Sequence, residues 1–298
     1  MDPQIEITET VDDSFGFTLS GINVSLANAV RRTILSDIPL VVFRTTPNEQ
    51  NKCTILANTS RLNNEIIKQR LSCIPIHIRD TSDFPLKNFI MEVNVENNTD
   101  TVMYVTTEDF TIIDLVSGKM LPKDKVREIF PADDHTGYYI DFVRLRPCIS
   151  DEIPGERIHL RCEFDIGSAK EDGMFNAVST CSYGFTIDTA QQDAELVKKR
   201  QQWKDEGKSE KEIEYESKNW KLLDGKRIYK KDSFDFAIKS VGIHTNNEIV
   251  DMACSILVDR LRAINETIEK DELEIKNSDN TMANCFDIIL ENEDYTIG

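Results

Sequence analysis

The sequence predicts an α+β fold in which a mixed sheet with packed helices, drawn from two separate parts of the chain, is interrupted by a mainly β insertion. Three observations carry this. Apolar residues recur at three- and four-residue spacing in two distant segments, 25–36 and 247–268, as one face of a helix requires. Short runs near both segments alternate apolar and polar residues or gather β-branched ones, as half-buried strands do. From 80 to 155, strand-like runs follow one another between Asn, Asp, Gly and Pro clusters, with no helical periodicity of any length.

Taken in order, 4–9 and 15–20 (Ile5, Ile7; Phe15, Phe17, Leu19) read as two strands around the turn-prone Asp12-Asp13-Ser14, and Gly21 ends the second. Ser25 is placed to cap a helix running to Ser36, since its hydroxyl can accept from an orphan amide of the first turn. Leu26, Ala29, Val30 and Leu35 form its stripe, Ala27 and Ile34 adjoin it, Asn28, Arg31 and Arg32 lie beside it, and Pro39 stops it. Strands at 40–45 and 53–57 follow, then a helix from Thr59 or Ser60 through Leu71. Further strands are expected at 89–95, 102–106, 110–115, 138–145 and 158–164. The block 187–231 is a polar excursion with Trp203 and Trp220 embedded, and its composition favours helix broken near Gly207. After a strand at 233–241, Asn246 or Asn247 is placed to cap a helix to Lys270 whose stripe is Ile249, Ala253, Leu257, Leu261, Ile264 and Ile268. A linker at 276–280 leads to a last strand at 286–290. The implied division is 1–79 with 156–272, a β insertion at 80–155, and the start of a smaller module at 281–298.

A net charge of −18 disfavours direct nucleic-acid binding, which needs clustered Lys and Arg. No segment approaches the ~18 uninterrupted apolar residues of a membrane span, and the N-terminus lacks the basic end and apolar run of a secretory signal. An intracellular protein is expected. Seven cysteines (Cys53, Cys73, Cys148, Cys162, Cys181, Cys254, Cys285) sit singly, so they read as small buried hydrophobes, without disulfides or a metal site. A cysteine hydrolase built on Cys73, His77 and Asp80 is disfavoured: thiol and imidazole, four residues apart in an extended segment, stand ~13 Å apart. No cofactor is expected.

Four stretches carry a resemblance. They are SLANAVRRTILSDIPLV (25–41), NTSRLNNEIIKQRLSCIPI (58–76), SAKEDGMFNAVSTCSY (168–183) and DSFDFAIKSVGIHTNNEIVDMACSILVDRL (232–261). In this order, with an insertion between the second and third, they resemble an RNA polymerase family that includes the third-largest subunit of eukaryotic polymerase II, its archaeal D-type counterpart and the bacterial alpha N-terminal domain. Asn64 and Gln69 depart from the Asp and His usual there, and the insertion lacks the cysteine cluster that holds a metal centre in some relatives. The last residues, FDIILENEDYTIG (286–298), resemble the opening of the smaller partner, the eleventh subunit of polymerase II or its archaeal L-type counterpart.

The resemblance implies a dimerisation domain and a non-catalytic assembly subunit of a DNA-directed RNA polymerase. Its partners would be an eleventh-subunit or L-like module, fused in the manner of some large DNA viruses or separate, and the second-largest and largest catalytic subunits. A fused module implies a reading frame that continues beyond Gly298. The workplace would be the nucleus, or a cytoplasmic viral factory or virion. Leu26, Ala29, Val30, Ile34, Ile249, Ala253, Leu257 and Leu261 are the expected small-subunit interface, because two apolar stripes exceed what one thin α+β layer hides. Asn28, Arg31, Arg32, Asn58, Glu65 and Arg70 are the expected large-subunit interface, with a guanidinium suited to paired hydrogen bonds. A homodimeric β-rich adaptor outside transcription is the alternative.

Overall fold

In the computed structural model, which describes residues 2–11, 14–80, 84–150, 152–270, 272, 274–278, 285–289, 294 and 296, the N-terminal alternation makes a hairpin. β1 (Gln4–Val11) and β2 (Ser14–Ser20) precede α1 (Val24–Ser36), β3 (Leu40–Val42), β4 (Cys53–Asn58) and α2 (Asn64–Ser72). β5 (Phe89–Glu96), β6 (Met103–Thr106), β7 (Thr111–Asp114), α3 (Lys123–Ile129), β8 (Asp141–Leu145), β9 (Arg157–Glu163) and β10 (Asp165–Gly167) follow. The rest is β11 (Val178–Ile187), α4 (Thr189–Asp205), α5 (Glu210–Leu222), β12 (Tyr229–Ser240), α6 (Asn246–Glu269), β13 (Glu274–Asn277) and β14 (Phe286–Ile289). The class is α+β, as the sequence predicts.

The chain forms two compact units: Met1–Ile34 with Val178–Lys239 and Val250–Gly298, and Leu35–Ala177 with Ser240–Ile249. Residues 80–155 fall within the second, together with 35–79.

The first unit is built on a sheet of order β1-β2-β12-β11. β2 pairs antiparallel with β12, setting Phe17 opposite Phe236 and Leu19 opposite Phe234. Directly opposed residues share a sheet face, and here that face is buried: Phe17, Leu19, Phe234, Phe236 and Ile238 all lie inside, with Phe17 stacked on Phe236 at 5.0 Å. Ala27, Ala29 and Ile34 of α1 and Ala253 and Leu257 of α6 are buried too. Gly21 turns the chain into α1 at φ +75°, and a Cβ there would fall 2.0 Å from the Asp2 carbonyl oxygen, so no side chain fits. The polar block folds into α4 and α5 on either side of Gly207 (φ +83°), with Ser209 and Glu212 forming a capping box at the start of α5. Arg200 Nε donates to Ser217 Oγ at 2.9 Å, and Lys221 pairs with Asp193 at 2.8 Å, linking the two helices.

The second unit centres on a sheet of order β4-β9-β5-β7. Met91 and Val93 of β5, Leu160 and Cys162 of β9, Ile67 and Leu71 of α2 and the rings of Phe43, Phe110, Phe130 and Phe142 share one core. Its rings meet edge-on where Phe110 faces Phe130 and Phe142, the arrangement that opposed ring quadrupoles favour. Asn97, fully buried, has all its hydrogen-bonding capacity used. Its amide donates to the carbonyls of Thr101 (2.8 Å) and Leu145 (3.0 Å), and its oxygen accepts from the Thr99 amide and hydroxyl. β6 and β8 pair beside this turn.

Two charged groups in this unit have partners that no local sequence pattern shows. Arg44 is almost wholly buried and binds Asp165 (2.6 Å), Glu171 (2.7 Å) and the Ile166 carbonyl (2.8 Å), with its guanidinium over the Phe175 ring. Glu92, also buried, accepts from Arg161 Nε at 2.7 Å and lies 3.0 Å from His159 Nε2. Burial alone would push the Glu92 carboxyl up, but His159 and Arg161 together outweigh it and hold the group below its ordinary value.

Four local expectations are corrected. α1 is capped by Asn23, whose side chain accepts from the Leu26 amide at 2.9 Å, so the helix starts one residue before Ser25. α2 starts at Asn64, capped by Asn63, because Asn58 ties 58–62 into a loop by bonding Ser60 and the Leu62 carbonyl. α6 is capped by Thr245 with Glu248, while Asn246 accepts from the Ser240 amide. α3 interrupts the insertion; at seven residues it is too short to show a period.

Replacing Arg44 with Ala removes its hydrogen bonds to three partners, but Asp165 keeps Lys52 at 3.0 Å and Glu171 is half exposed to solvent. It should lower unfolding free energy by about 1.5–3 kcal/mol, read from urea denaturation. Glu92 gives a pH signature. Its depressed folded-state value means its contribution is present above the ordinary Glu value of ~4.3 and lost as pH falls through the folded value. Glu92→Gln should therefore lower stability at neutral pH and flatten the acid limb of a stability-versus-pH curve.

Candidate subunit interface

The two apolar stripes expected to meet a partner are divided between interior and surface. On α1, Ala29 and Ile34 are buried, Val30 is half-buried and Leu26 is 38% exposed. On α6, Ile249, Ala253 and Leu257 are buried, whereas Leu261 is 50% exposed. Five of the eight residues thus sit inside the fold, and no residue of α6 beyond Leu257 is buried. Val258 and Ile268 stand out from that stretch alongside Leu261, and Val24 from the start of α1.

A further open apolar feature of the first unit lies on a strand. β1 is the edge of its sheet, and its register sets Ile5 opposite Leu19 and Ile7 opposite Phe17. Opposed side chains point to the same face, so Ile5 and Ile7 continue the face that is core at β2. Yet they are 63% and 62% exposed. The sequence shows their alternation but gives no sign that the strand lies at an edge. Fully burying one such side chain is worth about 1.5–3 kcal/mol, so this face favours a covering partner.

The polar residues expected to meet the large subunits are spread over both units. In the first, the Arg31 guanidinium bonds Asn28 Oδ1 at 3.0 and 3.2 Å, one turn back on the same helix. It also lies near the Cys181 thiol, which burial pushes up to about 12 despite the positive charge. Arg32 is held by residues near the end of the chain: Nε donates to Thr296 Oγ1 at 3.0 Å, and its charge lies 3.7 Å from Asp294. In the second unit, Asn58 is spent on its own loop and Glu65 is exposed in the first turn of α2. Arg70 donates to the carbonyls of Phe142 (2.8 Å) and Asp141 (2.7 Å) where β8 slips register against β6. Arg44, absent from the sequence-derived set, has two carboxylates and a carbonyl as partners; a lone Arg in an otherwise apolar run is the signal that could have flagged it. Among the described residues no cluster of three or more His, Cys, Asp and Glu could hold a metal ion, and no helix is long and apolar enough to cross a membrane.

This arrangement defines a class: an α+β protein with one sheet face left open at its edge. The chain matches the RNA polymerase Rpb3/Rpb11 dimerisation domain over residues 16–261, and it belongs to that family. It is similar to DNA-directed RNA polymerase subunit Rpo3 of Pyrococcus horikoshii, 24% identical over 288 residues that cover 88% of this chain and 97% of that protein. It is also similar to DNA-directed RNA polymerases I and III subunit rpac1 of Dictyostelium discoideum, 27% identical over 198 residues, covering 60% of this chain and about half (51%) of that one. Subunit 3B of DNA-directed RNA polymerases IV and V of Arabidopsis thaliana is 39% identical over 74 residues, 25% of this chain and 21% of that protein.

The split between interior and surface residues is open to a direct check. Leu257→Ala should lower stability by about 2–4 kcal/mol by leaving a cavity. Ile7→Asp and Leu261→Asp, on open surface, should leave the thermal midpoint within a few degrees of the parent. The isolated chain is expected to self-associate through this uncovered apolar surface, and both variants should reduce that self-association as measured by light scattering.

Proposed function

We propose that the chain is a non-catalytic assembly subunit of a DNA-directed RNA polymerase. On this reading it pairs with a smaller homologous module and with it forms the platform for the two large catalytic subunits. The observation that carries the reading is the sheet face buried at Phe17 and Leu19 and left uncovered at Ile7 and Ile5. Family membership and the names of the relatives support it. The pairing surface on this reading joins Ile5, Ile7, Val24, Leu26, Val258 and Leu261. An obligate interface of this kind is mostly apolar and runs to about 2,000 Å² or more. Ala29, Ile34, Ala253 and Leu257 are buried within the fold.

The large-subunit contact is assigned to Asn28, Arg31 and Arg32 on α1 and to Asn58, Glu65 and Arg70 around α2. Asn58 and Arg70 act by fixing the loop and strand around them, while Glu65 is free to meet a partner directly. The smaller module is of the eleventh-subunit or L-like kind. The similarity of 286–298 to its opening supports a fused form, as in a viral polymerase, whose site of action would be a cytoplasmic factory or virion; in a cellular polymerase it would be the nucleus.

Co-expression with an L-like module should yield a soluble one-to-one complex by light scattering. Arg31→Ala with Arg32→Ala should keep that pair but weaken capture of the second-largest catalytic subunit by about 2–5 kcal/mol. A stable homodimer with no affinity for polymerase subunits would instead favour an adaptor outside transcription.

A further inference from the structure

An arginine-rich cleft in the second unit holds two arginines that none of the roles above employs. It is about 340 Å³ and is lined by Arg61, Arg70, Arg144 and Arg146, with Tyr104, Asp141 and Glu156 among its other walls. A second hollow of about 590 Å³ shares Tyr104 and Asp141 with it and adds Tyr138 and Tyr139. Four of the chain's arginines and none of its lysines line the first hollow, in a protein of net charge −18.

These arginines are not equivalent. Arg70 is spent on two backbone carbonyls, and Arg146 on Glu156, which takes its Nε at 2.6 Å and its backbone amide at 2.7 Å. Arg61 and Arg144 are exposed, and neither side chain has a hydrogen bond or ion pair among the described residues. The cleft therefore presents two open guanidinium groups beside Arg70, Arg146 and Glu156, which are already matched; the Asp141 carboxylate stands exposed in its wall, so four arginines face two carboxylates and the hollow keeps an excess of positive charge. Next to them Tyr104 and Tyr138 are 55% and 78% exposed.

We propose that this cleft docks a short acidic segment of a partner protein, with a carboxylate held by Arg61 and Arg144 and neighbouring apolar side chains laid against Tyr104 and Tyr138. A planar guanidinium matches a carboxylate with two parallel hydrogen bonds, which an ammonium cannot do. Exposed tyrosine beside arginine is the composition that dominates binding energy at protein interfaces. A nucleic-acid strand is a poorer fit: it needs a continuous positive track, and here Asp141, Glu156 and Glu108 break the track within the two hollows. The proposal concerns the second unit alone and stands or falls independently of what the first unit pairs with.

The test uses the full chain, co-expressed with its pairing module where that is needed for solubility, and fluorescence anisotropy. The probe is a fluorescein-labelled peptide carrying two aspartates followed by two spaced leucines, compared with its Asn-for-Asp version and with labelled decauridine. The aspartate peptide should bind, more weakly at high salt, and the asparagine version about tenfold or more weaker, as loss of a charge-assisted pair implies. Arg61→Ser with Arg144→Ser should weaken the aspartate peptide by the same factor and leave the asparagine peptide unchanged. Arg61→Lys with Arg144→Lys, which keeps charge but loses the fork, should fall between. Both side chains are exposed, so an unchanged thermal midpoint is expected and is the control for folding. Absence of binding by the aspartate peptide, or equal binding by the serine variant, would overturn the proposal. Tighter binding of decauridine, lost in the same variant, would overturn it in favour of a nucleic-acid site.

Discussion

One face of one sheet governs the first unit. At β2 and β12 it is a packed core of Phe17, Leu19, Phe234, Phe236 and Ile238. One strand further out, at β1, the same face carries Ile5 and Ile7 into solvent. A sheet cannot change which side its residues face without a register slip, since side chains alternate strictly; the only slip between β1 and β2 comes after Ile7, between it and Thr10. The apolar edge is therefore a continuation of the core rather than a separate patch. An exposed edge strand of this kind is a liability for an isolated chain unless something covers it. On the reading proposed above, pairing with a partner is the reason to keep it, in line with membership of a dimerisation family.

α6 shows the same division along its axis. Its first three turns bury Ile249, Ala253 and Leu257, while its last three leave Val258, Leu261 and Ile268 open. The stripe is continuous in sequence because the period of 3.6 does not distinguish a face that meets its own sheet from one that meets another chain. The small residues Ala29 and Ala253 lie buried, where little side-chain volume lets backbones approach closely, and the bulkier Leu26 and Leu261 are exposed.

This explains how much could be read from the sequence. The α+β class, the hairpin at the N-terminus, the helix-breaking role of Gly207 and the two long stripes all follow from local periodicity and turn chemistry. What escaped depends on partners distant in sequence. Asn23, Asn63 and Thr245 displaced the expected caps because several capping residues stand near each helix start, and only the path of the preceding loop decides among them. The bond from Arg44 to Asp165 spans 121 positions and the Glu92 cluster 67 to 69, distances over which no motif operates. Of the eight residues expected at the small-subunit interface, periodicity found a real apolar face but could not say which turns of it the fold would use itself.

The polar residues make the complementary point. Asn28 and Arg31 bond each other, Arg32 is met by Asp294 and Thr296, Asn58 closes a loop, and Arg70 satisfies two carbonyls that a strand irregularity leaves open. Each therefore has an internal duty before it meets any partner, and such duties restrict the rotamers available. That restriction lowers the ordering cost of binding, because a side chain already fixed has less entropy to lose. A surface held by internal hydrogen bonds is suited to rigid docking between subunits, where geometry has to be reproduced at every assembly. Arg61 and Arg144 lack such restraint. Their freedom fits a different kind of contact, one in which a flexible acidic segment and two mobile guanidinium groups order each other and exchange readily, at a lower affinity per contact.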